Sequence, residues 1–261
     1  MPQLHALNAK RHAGWNWTPR SGAAFAAQRW LSPVVIAELG QVVARFPVVF
    51  QRSQDGRLGA AALFSLQPEH NAFVDAQGRW RAQYMPAFLR THPFQLAVNP
   101  KKGYVVMLDE ASPVVDAHGN TGQRILTPEG EPAEPVNDIV NFLKRYAAQQ
   151  HLTDKACRAL DEHRLLATLS DLDAQAATDD SAKPGLYRIS QPALDALDPE
   201  RLAKLRDVGA LSLAYAQLLS MPRLHALQRM QRDAAAVEEL GSLEELFGEG
   251  TGGEFTFDFD R

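Results

Sequence analysis

Side chains able to do chemistry are sparse in this chain, and their spacing limits what they can do. The one cysteine, Cys157, sits in "DKACRALDEH", a helical pattern in which a lone thiol reads as a buried packing residue rather than a nucleophile. A single cysteine also excludes an intramolecular disulfide framework. The eight histidines are scattered, and no two stand four apart on one helix face. A histidine site would have to be assembled by the fold, for example from His70, His92 and an acid. No phosphate-binding Gly-Lys-Ser/Thr loop, Gly-x-Ser-x-Gly elbow or His-Glu-x-x-His helix is present. "GEGTGG" follows a helical pattern and precedes none, so it reads as a linker and not as a dinucleotide loop. Two Asp-to-Gly stretches, "DAQGRW" and "DAHGNTGQ", invite a calcium reading. The first puts Gln77 and Arg79 at ligand positions; the second puts His118 and Asn120 there and lacks the closing Glu. Both are expected to be turns, in which Asp and Gly serve the backbone. The expectation is a chain without metal or cofactor, leaning away from an enzyme.

The densest chemistry lies in "DAQGRWRAQYMPAFLRTHPFQLAV", residues 75–98, which mixes aromatics with Arg79, Arg81 and Arg90. Most of its aromatics have a packing explanation. Phe88 and Leu89 suit the buried face of a short helix, and Phe94, Leu96 and Val98 alternate as a half-buried strand does. The arginines either cover apolar surface with their stems or bind a carboxylate or phosphate in a bidentate fork. The candidate ligand cleft is therefore Arg79, Trp80, Arg81 and Tyr84, joined by Arg11 and Trp15, with Trp17 beside them, from the N-terminal arm. A free amino acid or a peptide carboxylate is the ligand that this set would suit.

Charge and hydropathy exclude other classes. The formal net charge is -4, yet residues 234–261 carry eight acids and one base, leaving a mildly basic body. That body lacks the clustered Lys/Arg face of a nucleic-acid binder, so no nucleic-acid partner is expected. "VGALSLAYAQLLSMP" is too short and too polar to cross a bilayer, and "MPQLHALNAKRHAGWNW" has no secretory apolar core. A soluble, cytoplasmic protein with no membrane span is expected.

Elements follow from periodicity. A helix is predicted over 34–46, then strands "VVFQR" and "LGAAALFSL" around the Asp55-Gly56 turn, and a second hairpin about Asp75 and Gly78. "PAFLRTH" is a short helix between prolines, and "FQLAVN" and "GYVVMLDE" are strands. Two helices are predicted across 135–167, the second capped by Thr153 or Asp154. "ATLSDLDA" and "GLYRIS" pair as strands, and the rest is helical, capped at Asp198 and broken at Gly209 and Pro222. The class is α+β: an antiparallel β-meander packed by helices, with a helical C-terminal part. Residues 1–247 form one domain, and 248–261 an acidic, Phe-rich tail. In "EFTFDFDR", Phe255, Phe257 and Phe259 alternate with polar residues, a strand pattern able to add to a sheet edge of its own chain or of a protein partner.

"FPVVF", "NAFVDAQGRWRAQYMPAFLRTHPF" and "GLYRIS…LRDVGALSLAYAQLLSM", in this order over roughly residues 5–230, resemble the bacterial SapC family. The resemblance implies an association with surface-layer proteins, and with genes for flavin-dependent halogenase-like enzymes and outer-membrane receptors. It supplies no catalytic residues. A peptide-transport permease shares the family's name, and the hydropathy above excludes it. Family members often carry an acidic pair after "YRI", where this chain has Ser190 and Gln191, which puts a carboxylate role there in doubt. Three readings follow: a non-catalytic binding or adaptor protein; a small-molecule or peptide-binding module or enzyme accessory; and a surface-layer component.

Overall fold

Continuous apolar runs such as "VVF" and "AAAL" have no polar face to show to water, and they become strands covered on both sides. In the computed structural model, which describes residues 3–19, 22–99, 103–169 and 185–233, β4 (Val48–Arg52) and β5 (Leu58–Leu63) form the central hairpin. Its turn uses Gly56 at φ +78°, as the Asp-Gly pair predicts. β3 (Leu31–Pro33) lies outside β5, β11 (Leu186–Ile189) lies outside β4, and β10 (Leu166–Thr168) completes the order β10-β11-β4-β5-β3. Val48, Phe50, Ala60 and Ala62 face one core, while Val49, Ala61 and Leu63 face another, on the opposite side of the sheet.

A second sheet, β1-β7-β6, joins β1 (Leu4–Ala6) to the hairpin of β6 (Phe94–Asn99) and β7 (Gly103–Asp109). The third is small: β2 (Asn16–Trp17) between β8 (Val115–Asp116) and β9 (Gln123–Arg124). Every strand pairing among the described residues is antiparallel. The fold is α+β with a helical C-terminal part, as expected. Hairpins of sequence neighbours are its local pieces; β1, β3 and β11 arrive from far along the chain. The tail from residue 248, with Phe255, Phe257 and Phe259, lies outside the described residues.

The α-helices among the described residues are α1 (Ala9–His12), α2 (Leu39–Val42), α3 (Ala87–Arg90), α4 (Glu134–Glu162), α5 (Gln191–Asp195), α6 (Pro199–Asp207), α7 (Ala210–Ser220) and α8 (222–233). α4 replaces the two helices expected there. Thr153 does not cap a new helix; its hydroxyl donates to Gln149 O (2.8 Å) and accepts from Ile36 N (3.0 Å), so the helix runs through it. At 29 residues, α4 spans about 43 Å and serves two cores. Val136 and Leu143 join Trp17, Phe94, Leu108 and Ile125; Ala156, Cys157 and Leu160 pack on the central sheet. Burial, followed by the charge of Asp154, pushes the Cys157 thiol up to about 12, so it is an inert packing group. The predicted helix over 34–46 is instead a 3-10 turn (Ile36–Glu38) followed by the four residues of α2. Asp198 caps α6 through Arg201 N at 2.8 Å, and Gly209, at φ +74°, divides α6 from α7, both as predicted. No helix among the described residues is long and apolar enough to cross a membrane.

Polar residues inside the apolar "ALSLAYAQLLS" have a structural task. β11 pairs with β4 only at Leu186–Gln51 and Tyr187–Phe50. Past that point Gln217 bridges the two strands, its Nε2 donating to Val48 O (3.2 Å) and its Oε1 accepting from Ile189 N (3.0 Å). Ser220 Oγ accepts from Val48 N at 2.8 Å. Gln217→Leu keeps the apolar surface but strands two buried backbone groups. It is expected to cost about 2–3 kcal/mol in chemical denaturation, and Ser212→Ala, on the exposed face of α7, close to nothing.

Candidate functional site

Trp80 turns inward, packing its ring against Phe64 (centroids 5.4 Å) and Phe46 (6.1 Å) and donating Nε1–H to Tyr84 O at 2.8 Å. Tyr84 in turn donates its hydroxyl to Glu38 Oε2 at 2.8 Å. The same carboxylate accepts from Ala87 N (2.8 Å) and Val35 N (3.1 Å), and Glu38 is 6% exposed. Burial and the Glu38 bond push the Tyr84 phenol up to about 12. Arg90 lies over the rings of Tyr84 (5.4 Å) and Phe142 (5.1 Å).

The other sequence candidates lie elsewhere. Arg79 stays in its turn, with Nε 2.8 Å from Asp75 Oδ2. Arg81 is exposed and makes no ion pair among the described residues. Arg11 forks onto Glu110, with Nη2 2.6 Å from Oε2 and Nε on Oε1. His12 Nε2 (2.9 Å) and His5 Nδ1 (3.2 Å) reach the same carboxylate. Arg11 first, then His12, holds Glu110 well below the usual range, at about 2. Trp15 sits edge-on to His12 at 5.0 Å, and Trp17 is buried against Phe94 at 5.1 Å. Trp80 and Tyr84 are thus brought together, while Arg11 and Trp15 belong to the contact between the N-terminal arm and β7.

Two constellations resemble sites. His92 Nε2 is 2.7 Å from Ser112 Oγ, with the ring stacked on Phe25 at 3.8 Å. A serine and a base at this distance suit nucleophilic catalysis. Ser112 is buried, however, and Asp109 Oδ1 accepts backbone N–H groups of Gln3 (2.8 Å) and Ala111 (3.3 Å). Neither Ser112 nor His92 lines an open cavity described below. His70 is exposed and takes no part. In the "DAHGNTGQ" turn, Asp116 accepts from the N–H groups of His118, Asn120 and Thr121, each at 2.9 Å. Among the described residues no group of three or more His, Cys, Asp or Glu is placed to hold a metal ion.

The surface opens beside β5. There a groove of about 820 Å³ runs between the strand and the C-terminal half of α4. Its origin is the path of the chain after β3. Val34 N still bonds Ala60 O (3.0 Å), but Val35 N turns to Glu38 and Ile36 N to Thr153, so the chain peels away from β5. Ser53 N bonds Arg57 O at 2.9 Å, so the alternation of the antiparallel ladder makes Arg52–Leu58 a non-bonded pair. The N–H and C=O of Leu58 therefore point to the side that β3 has left, where Leu58 lines the groove, and they form one free rung of the sheet among the described residues. Gly59, Ala60 and Ala61 keep the floor low, and Leu31 and Pro33 add apolar wall. On the rim, Arg57 pairs with Asp55, Arg52 pairs with Asp161, and Asp154 accepts from Gln150 at 2.8 Å. Lys155 and Arg158 are exposed and make no ion pair among the described residues. A second cavity of about 300 Å³ shares Gln150, His151 and Asp154 and lies against β6–β7. At its mouth Val98, expected on a half-buried face, is 75% exposed opposite Tyr104 at 60%, because the hairpin extends past its cover.

Sequence reading missed Glu38 and the groove. The available signal for Glu38 was one carboxylate inside the apolar run "VVIAELGQVV"; for the groove, it was the small-residue run "GAAA".

Two outcomes test this geometry. Glu38→Ala leaves three donors without their acceptor and is expected to cost about 3 kcal/mol in denaturant titration, against about 1 kcal/mol for Tyr84→Phe. Burial, followed by the charge of Arg29, lowers His92 from the ordinary 6.5 to about 4. The unfolded chain then takes the proton first. The stability contributed by neutral His92 is complete above the ordinary value and is lost as pH falls towards the folded one. Imidazole NMR should place the His92 midpoint near 4, and a midpoint at 6.5 would contradict this.

Comparison with known proteins gives one family match: the SapC family model covers residues 7–227. No curated protein and no solved structure matches the chain. A match over most of the length, spanning the groove beside β5 and every described strand but β1, means that the chain belongs to the SapC family.

Proposed function

We propose that this chain is a non-catalytic binding protein, an adaptor that joins a protein partner by backbone pairing at the edge of β5. The observation that carries this reading is the free rung at Leu58, opening into the groove of about 820 Å³. An extended segment laid there gains two main-chain hydrogen bonds and places alternate side chains on the low floor. Lys155 and Arg158 favour acidic residues on that segment, and Asp154 sets a limit to how many. The C-terminal strand pattern of Phe255, Phe257 and Phe259 fits the same mode from the donor side, as a segment offered to a partner's sheet. A cytoplasmic location accords with a single, buried, free thiol.

A second reading is recognition of an amino-acid or peptide carboxylate. Exposed Arg81, next to Trp80 and without an ion pair among the described residues, supports it.

The adaptor reading is tested by capture from native lysate with three full-length baits: wild type, Lys155→Glu/Arg158→Glu, and Gly59→Val. At Gly59, which lines the groove, an added Cβ meets only Gln51 O, at 4.0 Å, so a side chain has room to start there. A partner bound by wild type and reduced at least about tenfold on both variants is expected. Equal recovery on all three baits would place binding away from β5 and overturn the reading.

A further inference from the structure

An open sheet edge rarely stays uncovered, because an unpaired strand invites unwanted association. What covers this one is indicated by the rest of the chain. α8 ends the described C-terminal part near the far end of β5, where Gln231 accepts from Leu66 N (3.0 Å) and donates to Ser65 Oγ (2.8 Å). From Leu63 back to Leu58 is about 17 Å along the strand. Residues 234–253 separate α8 from "EFTFDFD", and twenty residues reach about 30 Å as a helix and about 65 Å extended. Twenty residues are therefore long enough to span the distance from the end of α8 to the groove.

Its chemistry matches as well. Alternation puts Phe255, Phe257 and Phe259 on one side and Thr256, Asp258 and Asp260 on the other. The groove offers an apolar floor of small residues on one side and Lys155 and Arg158 on the other. Residues 234–261, with eight acids and one base, bring the opposite charge to that rim.

We propose that residues 254–260 of the same chain occupy the groove beside β5, pair with Leu58 at its one free rung, and compete there with a partner strand. This rests on the strand-accepting reading of the groove and adds its resting occupant and its regulation.

Amide hydrogen exchange on the full chain tests it. Wild type is compared with Phe255→Ser/Phe257→Ser/Phe259→Ser and with Lys155→Glu/Arg158→Glu. The Leu58 amide is expected to exchange at least about tenfold slower in wild type than in either variant, with no change on dilution. Protection lost on dilution would assign the strand to a second copy and overturn docking within one chain. Equal exchange at Leu58 in wild type and the Phe variant would overturn self-occupation. In that event, a synthetic peptide of residues 249–261 is added to the Phe variant. Protection of Leu58 by the peptide would leave the strand-accepting groove standing alone, and no protection would count against the groove as well.

Discussion

One buried carboxylate organises much of this molecule. Glu38 stands in an apolar turn and holds three donors, Val35 N from its own turn and the Tyr84 hydroxyl and Ala87 N from one distant stretch. A carboxylate withdrawn from water is tolerable only with its lone pairs occupied, so the turn after β3 and the Tyr84–Ala87 stretch are tied to one point. The tie has two effects. It fixes the Trp80–Tyr84 stretch and the start of α3 against the core, and it turns the chain away from β5 after Val34. The groove exists because of that turn.

Other buried polar groups complete the frame in the same manner. Gln217 and Ser220 stand in where β4 and β11 stop pairing, and Thr153 ties the middle of α4 to Ile36. Each substitutes a side chain for a missing ladder bond, which lets short, irregular sheets share a core without leaving backbone groups unsatisfied. α4 is long enough to belong to both cores, and its exposed Lys155 and Arg158 follow from that placement. The residues that shape the open surface are therefore scaffold residues first. For a member of the SapC family this joins two properties: the closed Ser112–His92 pair lies inside the frame, while the free rung of β5 lies at its edge.

Much of the architecture was legible in local pattern. The Asp55-Gly56 turn, the strands around it, the β6–β7 hairpin, the pairing of β10 with β11, the cap at Asp198 and the break at Gly209 all depend on neighbours in sequence. The thiol of Cys157 was readable as packing for the same reason, since a helix face is set by spacing. The boundary inside α4 was misread because Thr153 carries a capping side chain, whereas its hydroxyl donates back to Gln149 O and accepts from the distant Ile36 N–H. Val98 was misplaced because alternation reports which face a residue takes and not whether anything covers that face.

The sequence by itself determined the class of fold, the β4–β5 and β6–β7 hairpins, the helix cap at Asp198 and break at Gly209, the absence of an intramolecular disulfide, and the charge contrast between body and tail. These depend on composition and on periods of two and 3.6 residues, which a chain carries without knowing its partners. Tertiary structure alone decided that Arg11 meets Glu110, that Glu38 ties its own turn to the Tyr84–Ala87 stretch, that Trp80 faces the core, and that β5 keeps one free rung, at Leu58, above Lys155 and Arg158. Each of these joins residues tens of positions apart or more, and no local period encodes which distant group will satisfy a donor, an acceptor or a charge.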